Sequence, residues 1–456
     1  MASEAALLYN SDMITKHGIR NLMGKRPKKF LFVSDEALNG DLAWQAVREG
    51  HRVKMYCRDR ADSDVFEGFI ERVGTWKPWV KWADVIVFDD DNFGPEADRL
   101  RRQGKAVVGG SVYTDRLEAD REFGQAEMKK YGVNILPSWQ FDDYGEALAF
   151  IKRRRTRYVF KPSGHVGSET KDLIFIGQYD DASDLIEHLE KNQEVLLKKC
   201  RAFLLQKYVN GVEAAVGAFF NGKRFIYPIN VNFEHKRLFP GDIGPFTGEM
   251  GTLMFWAPPN HLFRQTLGRM APALKKAGYV GYIDINCIVN GNGIYPLEFT
   301  SRFGYPTIQI QSEGIRMPAG TWLYLLAKGA NFELACKKGF QVGVVILCPL
   351  YFGWTEHSRR LLKTYKNLAI TFVDPADRHG LHLGDIKMDR DGVWRIAGVS
   401  GWLLVVTGHG STVDEARQIA YKRVKNVKIP NMFYRTDIGV GWPLDSDKLQ
   451  TWGYLF

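Results

Sequence analysis

Only five cysteines, Cys57, Cys200, Cys287, Cys336 and Cys348, occur in 456 residues, an odd number with no CxxC spacing. That pattern argues against a disulfide framework and against structural zinc, and reduced buried thiols are the expected state. Long apolar runs are missing too. Val344-Val345-Ile346-Leu347-Cys348 and Trp402-Leu403-Leu404-Val405-Val406 are far too short to span a bilayer and suit buried strands, so no membrane partner is expected. The N-terminus has no basic region followed by an apolar stretch and a small-residue cleavage site, so no secretory signal is read and a cytoplasmic protein is expected. The first strand-like run is not followed by GxGxxG, which leaves dinucleotide binding unsupported. No Ser/His/Asp or Cys/His signature of nucleophilic catalysis stands out.

What is present is the composition of a globular chain, 45% hydrophobic and 25% charged, long enough for roughly three domains or two with a large insertion. The net charge of +10 favours a phosphorylated or polyanionic partner. The basic clusters Lys25-Arg26-Pro27-Lys28-Lys29, Lys152-Arg153-Arg154-Arg155 and Lys198-Lys199 are dispersed, and no nucleic-acid motif accompanies them. Solvated faces are their plainest reading. Nucleic acid stays open as a partner without being favoured.

Near the start, Lys29–Ser34, a helical stretch over about 41–49, Arg52–Cys57 and Asp84–Phe88 set a strand-helix-strand rhythm that predicts a doubly wound parallel sheet. Ligands of such sheets collect beyond the carboxyl ends of the strands. Ser34-Asp35-Glu36 and Asp89-Asp90-Asp91-Asn92 fall there, as carboxylates for a cationic or hydroxylated substrate or as solvated loops. A second unit opens near Ala106–Gly110, with one helix expected over about 115–131 and another over about 143–155. The strand Arg157–Lys161 then leads into a loop containing Gly164 and Gly167 and returns through Leu173–Ile176. Backbone amides of such a flap can approach phosphate oxygens, and Lys161 would add a cation. A further hairpin is read over 203–216, with Glu213 just after its turn and able to accept ribose hydroxyls.

The segment 281–304 reads as a hairpin closed by Asn290-Gly291-Asn292-Gly293. Asp284 and Asn286 alternate with apolar residues on one arm, as Glu298 and Thr300 do on the other. With an odd loop Asp284 would lie opposite Glu298, and four oxygen donors would suit a Mg²⁺ that shares nucleotide phosphates. The alternative is a solvated sheet face.

The order of lysine strand, glycine loop, carboxylate and metal hairpin resembles the ATP-grasp fold, in which two α+β lobes clamp ATP. Further segments narrow the match: Glu234-His235-Lys236-Arg237 with DIGPFTGEMG (242–251), PLEFTSRFGYP (296–306), and GWLLVVTGHGSTVDEARQIAY followed by FYRTDIG near the C-terminus. These resemble the phosphoribosylamine-glycine ligase family, with its HKR…D.GPNTGGMG and EFNCRFGDPE segments. The likeness is strong over about 230–305 and 400–440 and weak in the first 110 residues.

The resemblance implies an α/β and α+β chain: an N-terminal doubly wound parallel sheet (1–112), central ATP-grasp lobes (113–330, flap about 157–215, metal hairpin 281–304) and a C-terminal α+β domain (331–456). It also implies a ligation in which a carboxylate attacks the ATP γ-phosphate, an amine displaces phosphate from the acyl phosphate, and an amide leaves with ADP. In the family glycine and 5-phosphoribosylamine give glycinamide ribonucleotide for purine biosynthesis. The partners implied are therefore ATP, an amino acid and a phosphorylated amine. By family position Lys161 neutralises ATP phosphates and Arg302 holds the transferring phosphate, while Gly164, Gly167, Lys207, Val209 and Glu213 line the nucleotide. Glu298 binds Mg²⁺, or Mn²⁺, with Thr300, Asp284 and Asn286 beside it, and Lys236, Arg237, Asp242, Gly244, Thr247, Gly248 and Asp89 fall on the substrate side.

Departures from the family pattern cluster at these places. Thr300 replaces an asparagine metal ligand, Tyr305 and Thr307 replace two carboxylates, and Phe246 and Glu249 replace asparagine and glycine. The family's GGREHALAW is reduced to LNGDLAW (38–44). ATP chemistry is expected to persist and amine recognition to differ. Two alternatives follow: a ligase that joins an amino acid to another amine, such as a modified nucleotide or DNA base, and a non-catalytic nucleotide-binding descendant.

Overall fold

The computed structural model describes residues 18, 26–162, 173–348 and 356–455. Phe30 to Val33 are wholly buried, as expected of a strand covered on both faces. They lie in β1 (Lys29–Ser34), which pairs in parallel with β2 (Arg52–Cys57) on one side and β4 (Val85–Phe88) on the other. With β3 (Glu71–Arg72) and β5 (Val107–Val108) they form a five-stranded parallel sheet in the order β3-β2-β1-β4-β5. The doubly wound expectation is met. Val107–Val108 closes this sheet rather than opening the next unit, and the order reverses between β1 and β4.

The single helix expected over 115–131 is two, Val112–Ala119 and Arg121–Lys130. Asp120 between them is extended (φ −106°, ψ 91°), and its carboxylate accepts from the Phe123 amide at 3.0 Å, so it caps the second helix instead of continuing the first.

Four strands, β6 (Ser138–Phe141), β7 (Tyr158–Pro162), β8 (Phe175–Ile176) and β9 (Phe203–Lys207), form a small sheet in the order β6-β9-β7-β8. With helices Tyr144–Arg154 and Ser183–Lys199 they build their own apolar core around Ile151, Phe160, Leu189 and Phe203. The hairpin read over 203–216 does not form. β9 pairs with β6 and β7, whereas β10 (Val212–Asn221) pairs with β11 (Phe225–Glu234) and β15 (Val280–Asn290) in a different sheet. Tyr208–Gly211 is the crossing between the two lobes. Gly211 serves it because a Cβ there would lie 2.4 Å from the Val289 carbonyl oxygen.

Two short strands, β12 (Arg237–Phe239) and β13 (Ile243–Phe246), form a separate ribbon. The large sheet continues with β14 (Gly251–Ala257), β16 (Gly293–Thr300) and β17 (Phe340–Leu347), then strands Trp402–Gly410 and Leu381–Leu383. It crosses the boundary read at residue 330 without a break, because β14 pairs with β17 from Gly251↔Val344 to Phe255↔Phe340. The apolar runs 344–347 and 402–406 are buried strands of this sheet, as their composition implied.

Arg435 locks the C-terminal segment to the ribbon. It is fully buried and donates to Asp437, to Asp242 Oδ1 (2.8 Å) and to the Arg237 carbonyl oxygen (2.9 Å). Removing the cation leaves Asp437 unpaired and loosens the mostly solvated Asp242, so Arg435→Met is expected to cost roughly 2 kcal/mol, less than for a fully buried pair. Denaturant unfolding of the two proteins measures it, and an unchanged midpoint would refute the locking role.

Candidate functional site

The metal-hairpin reading depends on register. Gly291-Asn292 makes a two-residue turn, with Asn290 opposite Gly293 and Cys287 opposite Pro296. An unbroken ladder from that even turn would set Asp284 against Phe299 and throw the carboxylates onto opposite faces. A one-residue bulge at Leu297 corrects this, so Asn286 faces Glu298 and Asp284 faces Thr300. The pairing expected for an odd loop, Asp284 opposite Glu298, is therefore wrong by two residues. The four oxygen donors still share one face, while Ile285 and Cys287 are buried on the other.

The same face receives the end of β11. Lys236 Nζ lies 2.7 Å from Glu213 Oε1, 3.3 Å from Glu234 Oε2 and 3.8 Å from Glu298 Oε1. Burial opposes its charge, but the three carboxylates outweigh burial and hold the ammonium pKa well above its ordinary value. Asn286 Nδ2 donates to Glu234 Oε2 at 3.2 Å, and Arg121 approaches Glu298 at 3.8 Å. Asp284 is 2% exposed, with Oδ1 lacking a hydrogen-bond partner. Burial, then Glu234 and Glu118, push its pKa well up. Glu249 is buried alongside and shifted the same way by burial, Glu234 and Asp284.

Among the described residues no three His, Cys, Asp or Glu side chains make a self-sufficient metal site. Two carboxylates, an amide and a hydroxyl fit instead a hard cation whose other ligands are water and phosphate. Glu234, Arg121 and Glu118 were not anticipated. Glu234 had a readable signal, since Asn230, Asn232 and Glu234 alternate along β11 as do the ligands of the hairpin. Glu118 and Arg121 come from helices whose sequences carry no such mark.

Across the cleft, Lys161 on β7 is half-buried, and its Nζ donates to Gln206 Oε1 at 2.7 Å. Burial, then Arg121 and Lys236, pull its pKa down to about 8 against the opposing pull of Glu298 and Glu213. The lysine thus belongs electrostatically to the same cleft as the cage. Gly164 and Gly167 lie outside the described residues. Lys207 ends β9 with its side chain exposed, and Val209 sits in the segment that crosses between the lobes.

The substrate-side expectations fare unevenly. Lys236 is in the cage, but Asp242 is held by Arg435 and lies 3.7 Å from His235, which keep its carboxyl well below the usual range. Arg237 stacks on Phe246 at 3.7 Å and donates to the Gly244 carbonyl oxygen. The Thr247 amide and hydroxyl both donate to the Lys236 carbonyl oxygen. A Cβ on Gly248 would approach Trp402. Arg237, Asp242, Gly244 and Thr247 thus brace the ribbon and the Lys236 backbone instead of facing the cage.

Arg302 joins the cleft to the N-terminal sheet. Its Nε donates to Glu118 Oε1 at 3.1 Å, and Glu118 also accepts from the Ser301 amide at 2.8 Å. Burial opposes the guanidinium charge, yet Glu118, Asp90, Asp91 and Asp284 hold it on. Asn39 Nδ2 donates to the carbonyl oxygens of Asp89 (3.2 Å) and Phe303 (3.1 Å), pinning the end of β4 against the Arg302 loop. Asp89 is wholly buried there beside Ser34, and burial, then Asp90, push its pKa well up.

Residues 119–308 match the family model described as phosphoribosylglycinamide synthetase, ATP-grasp (A) domain. The phosphoribosylamine–glycine ligase of Listeria monocytogenes serovar 1/2a is 26% identical over 356 residues, covering 75% of this chain and 80% of that protein. That of Clostridium acetobutylicum is 24% identical over 436 residues, covering 90% and 99%. The crystal structure of the Thermotoga maritima phosphoribosylamine–glycine ligase superposes with a TM-score of 0.66 at 22% identity, covering 90% of this chain and all of that one. The biotin carboxylase domain of Hydrogenobacter thermophilus 2-oxoglutarate carboxylase, solved with MgADP, ADP and bicarbonate, gives 0.62 at 14% identity, covering 95% and 96%. The two structural likenesses speak to the fold.

Lys236→Met would leave Glu213, Glu234 and Glu298 facing one another without a cation. The expected loss is roughly 2 kcal/mol, less than for a fully buried pair because Glu213 and Glu298 are partly solvated. A raised lysine pKa means the stabilisation is whole at pH 7 and fades only in strong alkali. Urea unfolding at pH 7 measures it, and equal midpoints would take Lys236 out of the cage.

Proposed function

We infer from one premise, that the chain is a divergent member of the phosphoribosylamine–glycine ligase family within the ATP-grasp superfamily, that it is an ATP-dependent carboxylate–amine ligase. The reaction proposed is the family's: glycine and 5-phosphoribosylamine join through an acyl phosphate to give glycinamide ribonucleotide, ADP and phosphate, in the cytoplasm. The observation that carries this reading is the convergence of Lys161, Lys236, Glu298 and Arg302 on one interlobe cleft. On this reading residues 1–112, 113–330 and 331–456 are the acceptor-side, ATP-grasp and closing units.

Phosphoryl transfer asks a protein mainly for alignment and charge neutralisation. Lys161 takes the ATP phosphates from the small lobe, and Glu213 takes the ribose hydroxyls. Arg302, kept charged by Glu118, holds the phosphoryl group as it passes to the carboxylate. Mg²⁺, when bound with ATP, neutralises phosphate charge, and Glu298, Asp284, Asn286 and Thr300 are the residues that would hold it; Mn²⁺ suits the same oxygen donors. Lys236 neutralises Glu213, Glu234 and Glu298 in the free protein, a role that a bound cation would take over.

One observation favours a different acceptor as a second reading. The crevice expected to receive the amine is walled by Asp35, Glu36, Asp89 and Asp90, which oppose a 5′-phosphate. The amine would then be one other than phosphoribosylamine.

Assay of the purified chain with Mg-ATP, glycine and phosphoribosylamine generated in situ should give ADP and glycinamide ribonucleotide by mass spectrometry. ATP consumption that never depends on an amino acid would eliminate the ligase reading. Lys161 supplies a pH test. With its pKa near 8 in the free protein, ATP binding above that pH must take up a proton. ATP affinity should therefore fall as pH rises from 8, by up to about tenfold per unit. Lys161→Met should bind ATP more weakly at pH 7 and show a flat profile. Calorimetric titrations of both proteins at pH 7 and 9 decide, and parallel profiles would sink the role.

A further inference from the structure

Glu249 lies beside the cation cage without a partner of its own. It is 5% exposed, and its Oε1 is buried with no hydrogen-bond partner. Among the described residues no lysine or arginine pairs with it. Lys236 is taken by Glu213, Glu234 and Glu298, and Arg302 by Glu118. The backbone around Glu249 is fixed on both sides. The Thr247 amide donates to the Lys236 carbonyl oxygen at 2.8 Å, the Met250 amide to that of His235 at 2.8 Å, and the Val345 amide to that of Met250 at 3.1 Å. A buried carboxyl held in this way costs free energy unless a donor reaches it.

Tyr305, three residues after Arg302, repeats the pattern from another loop. Its hydroxyl is buried without a partner, and its ring stands edge-on to Trp402 at 5.8 Å. A Cβ at Gly248 would lie 3.8 Å from the same indole, so Trp402 backs both the Glu249 segment and the Tyr305 ring. The charges that act on Glu249 are those of Glu234, Lys236 and Asp284, and Glu249 in turn acts on Tyr305. Glu249 thus faces the cage on one side and the Tyr305 hydroxyl on the other.

Both positions depart from the family segments. The Arg302 loop loses two carboxylates, at Tyr305 and Thr307, and the GPFTGEMG segment gains one at Glu249, where GPNTGGMG has glycine. A negative charge is therefore kept beside the cleft but delivered from a different segment.

Resting on the ligase reading above, we propose that Glu249 and Tyr305 form the subsite that selects the carboxylate donor. Glu249 and the Tyr305 hydroxyl accept from the ammonium of a small α-amino acid whose carboxylate faces Arg302. Such a donor carries its ammonium one carbon from its carboxylate. The cations of the cleft take the carboxylate, and Glu249 is the unpaired anion beside them that takes the ammonium. An isostere that brings no positive charge leaves Glu249 unpaired and is disfavoured for that reason.

Calorimetric titration of glycine and of glycolate into the full chain, with Mg²⁺ and a non-hydrolysable ATP analogue, tests the subsite without turnover. Glycine should bind about tenfold or more tightly than glycolate, the worth of one charge-assisted contact. Glu249→Gln, nearly isosteric, should weaken glycine binding about tenfold with glycolate binding little changed. Tyr305→Phe, which keeps the ring on Trp402, should weaken glycine binding severalfold. Glu249→Gly should also lose the preference for glycine, and adding Tyr305→Asp should restore most of it. Equal affinity for glycine and glycolate, or a Glu249→Gln protein that keeps the preference, would overturn the subsite. Glycinamide ribonucleotide formation with an unchanged glycine KM in Glu249→Gln would do so too, leaving the ligase reading standing. Selective glycine binding that depends on Glu249, with no amide formed from any acceptor, would keep the subsite and remove the ligase reading.

Discussion

A one-residue bulge at Leu297 is the constraint on which the cleft depends. The turn at Gly291-Asn292 holds an even number of residues, and side chains alternate faces along a strand. Without the bulge the polar residues of β16 would point into the core that receives Ile285 and Cys287, and that core would have to bury Glu298. The irregularity sits close to the functional face, where bulges re-aim side chains. Lys236, Glu213 and Asn286 can meet Glu298 only because β16 shifts by one rung.

The cleft is an electrostatic balance, not a neutral cavity. Glu213, Glu234 and Glu298 face the Lys236 ammonium, with Arg121 on the outer side of Glu298. Lys161 lies across from them with its proton loosened by burial and by two other cations. Such a site is prepared for a ligand that carries negative phosphates and a positive ion together. On the proposed reading the phosphates would satisfy Lys161, and the ion would take the place of Lys236 at the carboxylates.

The N-terminal crevice has the opposite character, although the chain as a whole carries +10. Net charge thus says little about a local pocket, where burial and a few neighbours decide. Arg302 stands at the border. It pairs with Glu118 on the ATP side and feels Asp90 and Asp91 on the other. The family likeness weakens in the same N-terminal region, whereas the segments around Glu298 and Arg302 keep theirs.

Local rules in the sequence were enough to determine the parallel N-terminal sheet, the buried apolar strands near 344 and 402, the flap strand bearing Lys161 and the polar alternation at 284–286 and 298–300. Each is a matter of periodicity or turn chemistry within a short window. The tertiary structure alone decided the rest. Residues 203–207 and 212–221 look like one hairpin locally, but they go to two sheets because their pairing partners, β7 and β15, lie about fifty and seventy residues away. Lys236 could be named from its motif, yet its three carboxylate partners come from three strands. Asp62 and Asp385, more than three hundred positions apart, flank one glycine only in the fold. Cross-chain electrostatics has no sequence period, and so no window of residues could have shown it.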